Sequence, residues 1–247
     1  MATEPMMEAR HSFQPDCANC SLASICLPIA LEDDDVVRLE DVLKRGALKR
    51  RGEHVFRAAD ACDSLFAVRS GAIKSYRVSA DGEEQITGFH LPGEIFGLSG
   101  IPGRERESNA VALETASVCE IPYDGLERLS REVPALQRHL FQLMSQTIND
   151  DQQLMLLLSK KSAEERIASL LLSISSRMRR RRLSGRCFRL PVSRGEIGNH
   201  LGLVVETVSR VFTRLQKQGV LAVDGREVEI LQPAALAELA GTDWVDD

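Results

Sequence analysis

The sequence predicts an α+β chain: an antiparallel β-roll or barrel, then a long helix, then a compact helix-turn-helix followed by a hairpin. Three observations predict it. Between residues 47 and 122, short apolar runs recur with turn residues between them at roughly 8–12-residue spacing, as in consecutive antiparallel strands. From about Val133 the apolar period lengthens to that of a helix. Beyond Lys160, two short amphipathic stretches meet at a glycine and run into an Asp-Gly turn.

In chain order, residues 1–30 read as irregular, with Pro15 and Pro28 bracketing three cysteines. Met1 to Arg10 is acidic and Met-containing with no apolar centre, so it does not read as a signal peptide. No apolar run approaches the ~20 residues of a membrane helix, and the cytoplasm is the expected compartment. Leu31 to Leu43 predicts a short helix, with Leu31, Val36, Leu39 and Leu43 near helical spacing. Leu65-Phe66-Ala67-Val68 runs into a Ser70-Gly71 turn. Ile73 to Val78 alternates outward to Asp81-Gly82, Gln85 to Leu91 returns, and Pro92-Gly93 turns again.

Phe141, Met144, Ile148, Asp151, Met155 and Leu158 follow alternating steps of three and four, an a/d seam that predicts a paired helix and a homodimer. A helix packed on its own domain gives the same pattern. Asp151 is the anomaly, because in a parallel pair it faces its own copy and like charges oppose association. A second helix is expected from about Ala163 to Met178, then a basic loop from Arg177 to Arg182.

Ser193-Arg194-Gly195-Glu196 is a capping box, Ile197 and Leu201 give its helix an apolar side, and Gly202 supplies the turn. The next helix starts near Val205 and buries Val208, Val211, Phe212 and Leu215. Its opposite side shows Glu206, Ser209 and Arg210 within the first two turns, where a helix-turn-helix meets base edges in the major groove. Arg grips guanine O6 and N7 together, and Glu accepts from cytosine N4. Arg214 and Lys217 are placed to reach phosphate. Val220 to Ile230, turning at Asp224-Gly225, forms the wing. Val204 stands where this helix wants a Ser or Thr cap.

Net charge is −5, which at first opposes nucleic acid. Its distribution does not: Lys160 to Gln232 holds 15 Lys/Arg against 7 Asp/Glu, and the remainder 16 against 29. A basic third on an acidic body suggests one polyanion-binding module, although a solvated basic face carries the same charge.

Six cysteines lie at 17, 20, 26, 62, 119 and 187. A reducing cytoplasm disfavours disulfides. Cys17-x2-Cys20-x5-Cys26 places three thiolates on one Pro-bounded loop. That spacing alone leaves zinc and an iron–sulfur cluster open, with a reactive-disulfide sensor as a third reading. Cys62 and Cys187 are expected to be free, buried cysteines.

The stretch from Arg194 to Arg210 closely resembles the signature of the CRP/FNR regulator superfamily. Leu156-Leu-Leu-Ser-Lys-Lys161 with Ala163-Glu-Glu-Arg166, and Ser70-Gly-Ala-Ile-Lys-Ser75 with Glu84 to His90, resemble its FNR branch, including Anr-type proteins. The likeness runs from about Cys17 to Gly241. It implies a cyclic-nucleotide-binding-like jelly roll, a dimerisation helix and a winged helix-turn-helix. The resulting division is 1–30 cysteine-rich segment, 31–130 sensor roll, 131–160 dimerisation helix and 161–247 DNA-binding domain. Val118-Cys119-Glu120-Ile121 resembles the segment that supplies the fourth ligand. The resemblance thus implies one [4Fe–4S] cluster per subunit on Cys17, Cys20, Cys26 and Cys119.

It also implies DNA contacts by Glu206, Ser209 and Arg210 on TTGAT-N4-ATCAA sites, and a dimer switch at Ile148 and Asp151. Val204 departs from the Thr usual there. An intact cluster is expected to favour the dimer without oxygen, and molecular oxygen to destroy it toward [2Fe–2S] and release DNA, with transcription activated or repressed accordingly. Ser21 and Ile25 are expected to tune oxygen access and cluster hydrogen bonding. RNA polymerase is the implied protein partner, through the Ser79–Glu84 hairpin and the loop near Arg180 to Ser184.

The same roll holds cyclic AMP in other branches, with an Arg-Ser-Ala-type phosphate cassette. Here Gly93-Glu94 is present but the cassette reads Glu107-Ser108-Asn109, and a carboxylate opposes phosphate. Arg104 or Arg106 is the substitute cation if a nucleotide binds. An enzyme is not expected: His11, His54, His90, His139 and His200 form no acid–base or metal constellation, and no phosphate-cradling loop or nucleophile elbow occurs. His200 is expected to be solvated or to face phosphate.

Overall fold

The computed structural model describes residues 12–101 and 105–244. Met1 to Arg10, His11 and Arg104 lie outside the described residues. The chain divides into two compact units, Met1–Gln146 and Thr147–Asp247.

In the first unit, β1 (Ser12–Phe13) is followed by the cysteine segment, a short 3-10 helix at Leu27–Ala30, and α1 (Asp33–Val42). That helix begins two residues later than the apolar spacing suggested, because Asp33, Asp34 and Asp35 fill its first turn, where carboxylates favour the helix dipole. Then come β2 (Lys44–Lys49), β3 (His54–Phe56), β4 (Ser64–Ser70), β5 (Ile73–Val78), β6 (Glu84–His90), β7 (Ile95–Phe96), β8 (Asn109–Ala112), β9 (Ala116–Pro122), α2 (Tyr123–Glu132) and α3 (Pro134–Lys160), whose residues from Thr147 onward belong to the second unit. Two antiparallel sheets form, in the orders β1-β2-β9-β4-β7 and β3-β8-β5-β6.

Strand alternation divides the side chains of the first sheet between two cores. Phe66, Val68, Ala116 and Val118 face the inside of the roll, with Phe56, Ile73 and Phe96. Leu65, Ala67, Cys119 and Ile121 face outward, onto Leu27, Leu39, Leu126, Leu129, Val133 and Leu136. The roll is an antiparallel two-sheet structure, as the sequence predicted. Gly71 must be glycine: its φ is +74°, and a β-carbon there would lie 2.5 Å from the Thr115 carbonyl.

α3 is one continuous helix of 27 residues, of which Leu136 is buried. In the second unit α4 (Ala163–Arg180) opens with a capping box between Ser162 and Glu165. The expected basic loop at 177–182 is instead the last helical turn through Arg180, because cations there complement the helix's negative end. The turn after it places Arg182 at φ +59°. β10 (Cys187–Arg189), α5 (Arg194–Leu201), α6 (Val205–Lys217), β11 (Leu221–Asp224), β12 (Glu227–Ile230) and α7 (Pro233–Ala240) complete the unit. The sheet order β10-β12-β11 is the wing.

Cys62 is buried as expected, but Cys187 is exposed on the three-residue β10. His200 is also a correction. It is buried, because the helical period turns position 200 inward beside Ile197 and Leu201.

Candidate metal centre and nucleic-acid interface

Cys17, Cys20, Cys26 and Cys119 line one pocket. The first three reach it through successive tight turns: Cys20 N–H donates to Cys17 O, Ala23 N–H to Cys20 O, and Cys26 N–H to Leu22 O. Cys119 reaches it from β9, 93 positions after Cys26, on the outward face of the sheet. The walls are apolar, from Leu22, Leu27, Leu39, Leu43, Ala67 and Ile121, with Arg69 as the cation among the lining residues. Ile25 seats against Gly93, where a β-carbon would come within 2.6 Å of Ile25 Cδ1.

Burial, then the neighbouring sulfurs and Glu40, push the Cys17 thiol up to about 12. Burial pushes Cys26 to about 12 and Cys119 to about 11, with Arg69 opposing the latter shift. Such a pocket keeps its thiols protonated until a positively charged centre compensates them. Among the described residues, no three His, Cys, Asp or Glu side chains converge closely enough to hold a single metal ion.

Cysteine spacing gives no sign of Glu40, whose Oε1 accepts from Cys17 N–H at 2.5 Å and Ala18 N–H at 3.0 Å, nor of Arg69, which lies over the Phe13 ring at 4.8 Å.

The cyclic-nucleotide cassette is built differently from a phosphate site. Glu107 is exposed and ion-paired with Arg77. The Arg106 guanidinium is buried, donating to the carbonyls of Gly97 and Ser64 and lying 4.3 Å over the Phe56 ring. It is therefore committed to the protein interior.

In the second unit, Gly202 takes φ +63° between α5 and α6 and closes the helix-turn-helix. Val208, Val211, Phe212 and Leu215 are buried, while Glu206, Ser209 and Arg210 are exposed on the opposite face of α6. Arg210 Nη2 donates to Thr207 Oγ1 at 3.2 Å, on the same helix. Arg214, expected to reach phosphate, pairs with Glu164 at 2.5 Å, and Lys217 is exposed.

On α3, Phe141, Met144, Ile148 and Met155 are exposed, and Asp151 lies in the same row. Partial burial, then Asp150, hold the Asp151 carboxyl above its ordinary value. Among the described residues no helix is long and apolar enough to cross a membrane.

Residues 49–132 match the Cyclic nucleotide-binding domain family, and residues 165–239 the Crp-like helix-turn-helix domain family. The chain is 52% identical over 239 residues to the Transcriptional activator protein Anr of Pseudomonas protegens, spanning 97% of this chain and 98% of that one. It is 54% identical over 228 residues to the Transcriptional activator protein anr of Pseudomonas aeruginosa, spanning 92% and 93%. The solved structure of FixK2 from Bradyrhizobium japonicum is similar at a TM-score of 0.73 and 31% identity, covering 83% of this chain and all of that one. The chain therefore belongs to the CRP/FNR family, among the Anr and FNR transcription regulators, and is a DNA-binding regulator and not an enzyme.

Proposed function

We propose that this regulator senses oxygen through one [4Fe–4S] cluster per subunit, held by Cys17, Cys20, Cys26 and Cys119. The observation that carries the reading is the shared pocket: a strand cysteine remote in sequence faces the same apolar cavity as the three loop cysteines. When bound, the cluster supplies an oxygen-labile centre whose positive irons compensate four thiolates. Structural zinc takes the same four thiolates, and metal analysis separates the two.

The chain's own residues link this pocket to dimerisation. Cys26 and Cys119 pack on the core that holds Val133 and Leu136, with Leu140 and Leu143 of α3 against it. A change in the cysteine segment thus bears on the root of the helix that carries Ile148 and Asp151. In the dimer the exposed apolar row of α3 is covered by its copy, and the two Asp151 carboxylates oppose it. A bias of a few kcal/mol moves such a balance. Glu206, Ser209 and Arg210 of each protomer then read one half of a TTGAT-N4-ATCAA site, and exposed loops at Ser79–Glu84 and Arg180–Ser184 meet RNA polymerase. The protein works in the cytoplasm, activating or repressing transcription without oxygen.

Protein purified without air is expected to be brown, to carry iron and acid-labile sulfide, and to bind the palindrome; air should bleach it and release the DNA. A colourless anaerobic sample with stoichiometric zinc overturns the reading. Cys119→Ala should abolish the anaerobic absorbance, and a retained cluster removes Cys119 from the ligand set. Tight binding of cyclic AMP in titration would restore the nucleotide reading that the Glu107 and Arg106 geometry opposes.

A further inference from the structure

The first cysteine of the segment is tied to α1 through one carboxylate. Within Asp16–Cys26 five amides are satisfied locally: Cys20, Ala23, Ile25 and Cys26 donate to carbonyls of the segment, and Asn19 N–H donates to the Asp16 side chain. Cys17 and Ala18 are different. Both N–H groups donate to Glu40 Oε1, at 2.5 and 3.0 Å. These two hydrogen bonds join the start of the segment to α1, 22 and 23 positions further along the chain.

Glu40 is itself fixed. It lies in α1 beside Leu39, which is 1% exposed and lines the cysteine pocket. α1 cannot rotate Glu40 away without pulling Leu39 out of the core. A carboxylate accepting two amides makes charge-assisted bonds, roughly twice as strong as neutral ones. They restrain the first ligand of a segment that has no strand or α-helix to restrain it. Cys20 and Cys26 are linked by the turns between them, whereas Cys17 joins those turns only through its carbonyl, which accepts from Cys20 N–H at 3.2 Å.

We propose that Glu40 is the positioning residue of the cysteine segment: it holds Cys17 at the pocket before any cluster is present and slows its departure afterwards. The inference rests on the cluster reading of this pocket. It makes cluster lifetime a property of α1 as well as of the ligands.

The test uses the full-length protein as wild type, Glu40→Ala, Glu40→Gln and Asp41→Ala. Iron and acid-labile sulfide are counted after anaerobic purification, and iron release to a chelator is timed without oxygen. Amide hydrogen exchange at residues 17–18 is followed separately on the iron-free forms. Glu40→Ala should release iron about tenfold faster (about 1.4 kcal/mol) and exchange these amides about tenfold faster. Glu40→Gln keeps an acceptor oxygen and should restore most of both rates, while Asp41→Ala, on the same helix, should match wild type. Alanine is the best helix former, so α1 itself is not weakened. Should Glu40→Ala fail to fold, Glu40→Lys also lacks an acceptor and reads the same two rates.

Unchanged release and exchange in the acceptor-free variant overturn the proposal. Wild-type protein lacking iron and sulfide overturns the cluster reading instead, and the exchange arm still decides whether Glu40 anchors the segment.

Discussion

Val204 caps α6 with backbone alone. Its φ and ψ are −72° and 148°, its side chain makes no cap hydrogen bond, and it is 63% exposed. Threonine has nearly the same shape and the same β-branching, so substitution removes no packing and adds a side-chain acceptor for the amides of the first turn. Val204→Thr is expected to stabilise the protein by about 1 kcal/mol and raise its Tm by a few degrees; no change or a fall in calorimetry sinks the capping account. The missing cap was legible in the sequence because caps obey local rules. Other residues were not legible for the converse reason. Cys17, Cys20 and Cys26 announce themselves by spacing, but Cys119 lies far along the chain, and only resemblance pointed to it. Glu40 looks in sequence like any acid on a solvated helix. Its role depends on which segment folds over α1. His200 was misplaced because polarity argues for water, while the helical period turns that position inward beside Ile197 and Leu201.

Among elements, the long helix was the most legible, because a seam sustained along α3 outweighs local ambiguity. Its residues also explain why it needs a partner. Phe141, Ile148 and Met155 are 59%, 58% and 68% exposed, an apolar row that one chain leaves in water. Asp151 interrupts the row, and its raised carboxyl already shows the cost of partial burial beside Asp150. Asp151→Ala should therefore remain dimeric in air, with a dimer dissociation constant lower by about tenfold or more (about 1.4 kcal/mol). A monomer in sedimentation refutes the repulsion. α4 offers a pH test. Hydrogen bonds from the Ser162 backbone and side chain, helped by Lys161, hold Glu165 down at about 2 from its usual 4.5. Its folded value is depressed, so the ionised carboxylate stabilises α4 fully above pH 4.5 and stops doing so as pH falls through about 2. The melting temperature of the second unit should drop across that window, and Glu165→Gln should flatten the drop. A variant that titrates like wild type removes the capping box from the acid response. Less legible was the end of α4, where a run of arginines resembles a loop but suits a helix C-terminus.

For the molecule as a whole, the proposed function requires that pairing along α3 govern what two recognition helices reach. Arg166 is the joint. Its Nη2 donates to Leu158 O at 2.7 Å and its Nε to Lys161 O at 2.9 Å, at the end of α3. Its Nη1 donates to Leu201 O at 2.8 Å, at the end of α5. One guanidinium thus satisfies carbonyls left open at two helix ends and fixes the helix-turn-helix to the last turn of α3. In the dimer proposed above, pairing of α3 would set the separation of the two copies of α6, and a palindrome would read that separation as half-site spacing. The basic third from Lys160 to Gln232, with 15 Lys/Arg against 7 Asp/Glu, supplies the attraction to phosphate but no register. Removing the joint should therefore separate affinity from register. Arg166→Ala leaves three carbonyls unpaired and should destabilise the second unit by roughly 2 kcal/mol. The anaerobic variant should remain a dimer, because its seam is intact, and should keep non-specific binding to random duplex within about twofold, because the phosphate contacts persist. Its preference for a four-base spacer over three or five should fall by about tenfold (about 1.4 kcal/mol), because the two reading heads no longer hold one distance. Competition binding on duplexes that differ only in spacer length measures this directly. An undiminished preference in a dimeric variant would place the register elsewhere than in the Arg166 joint.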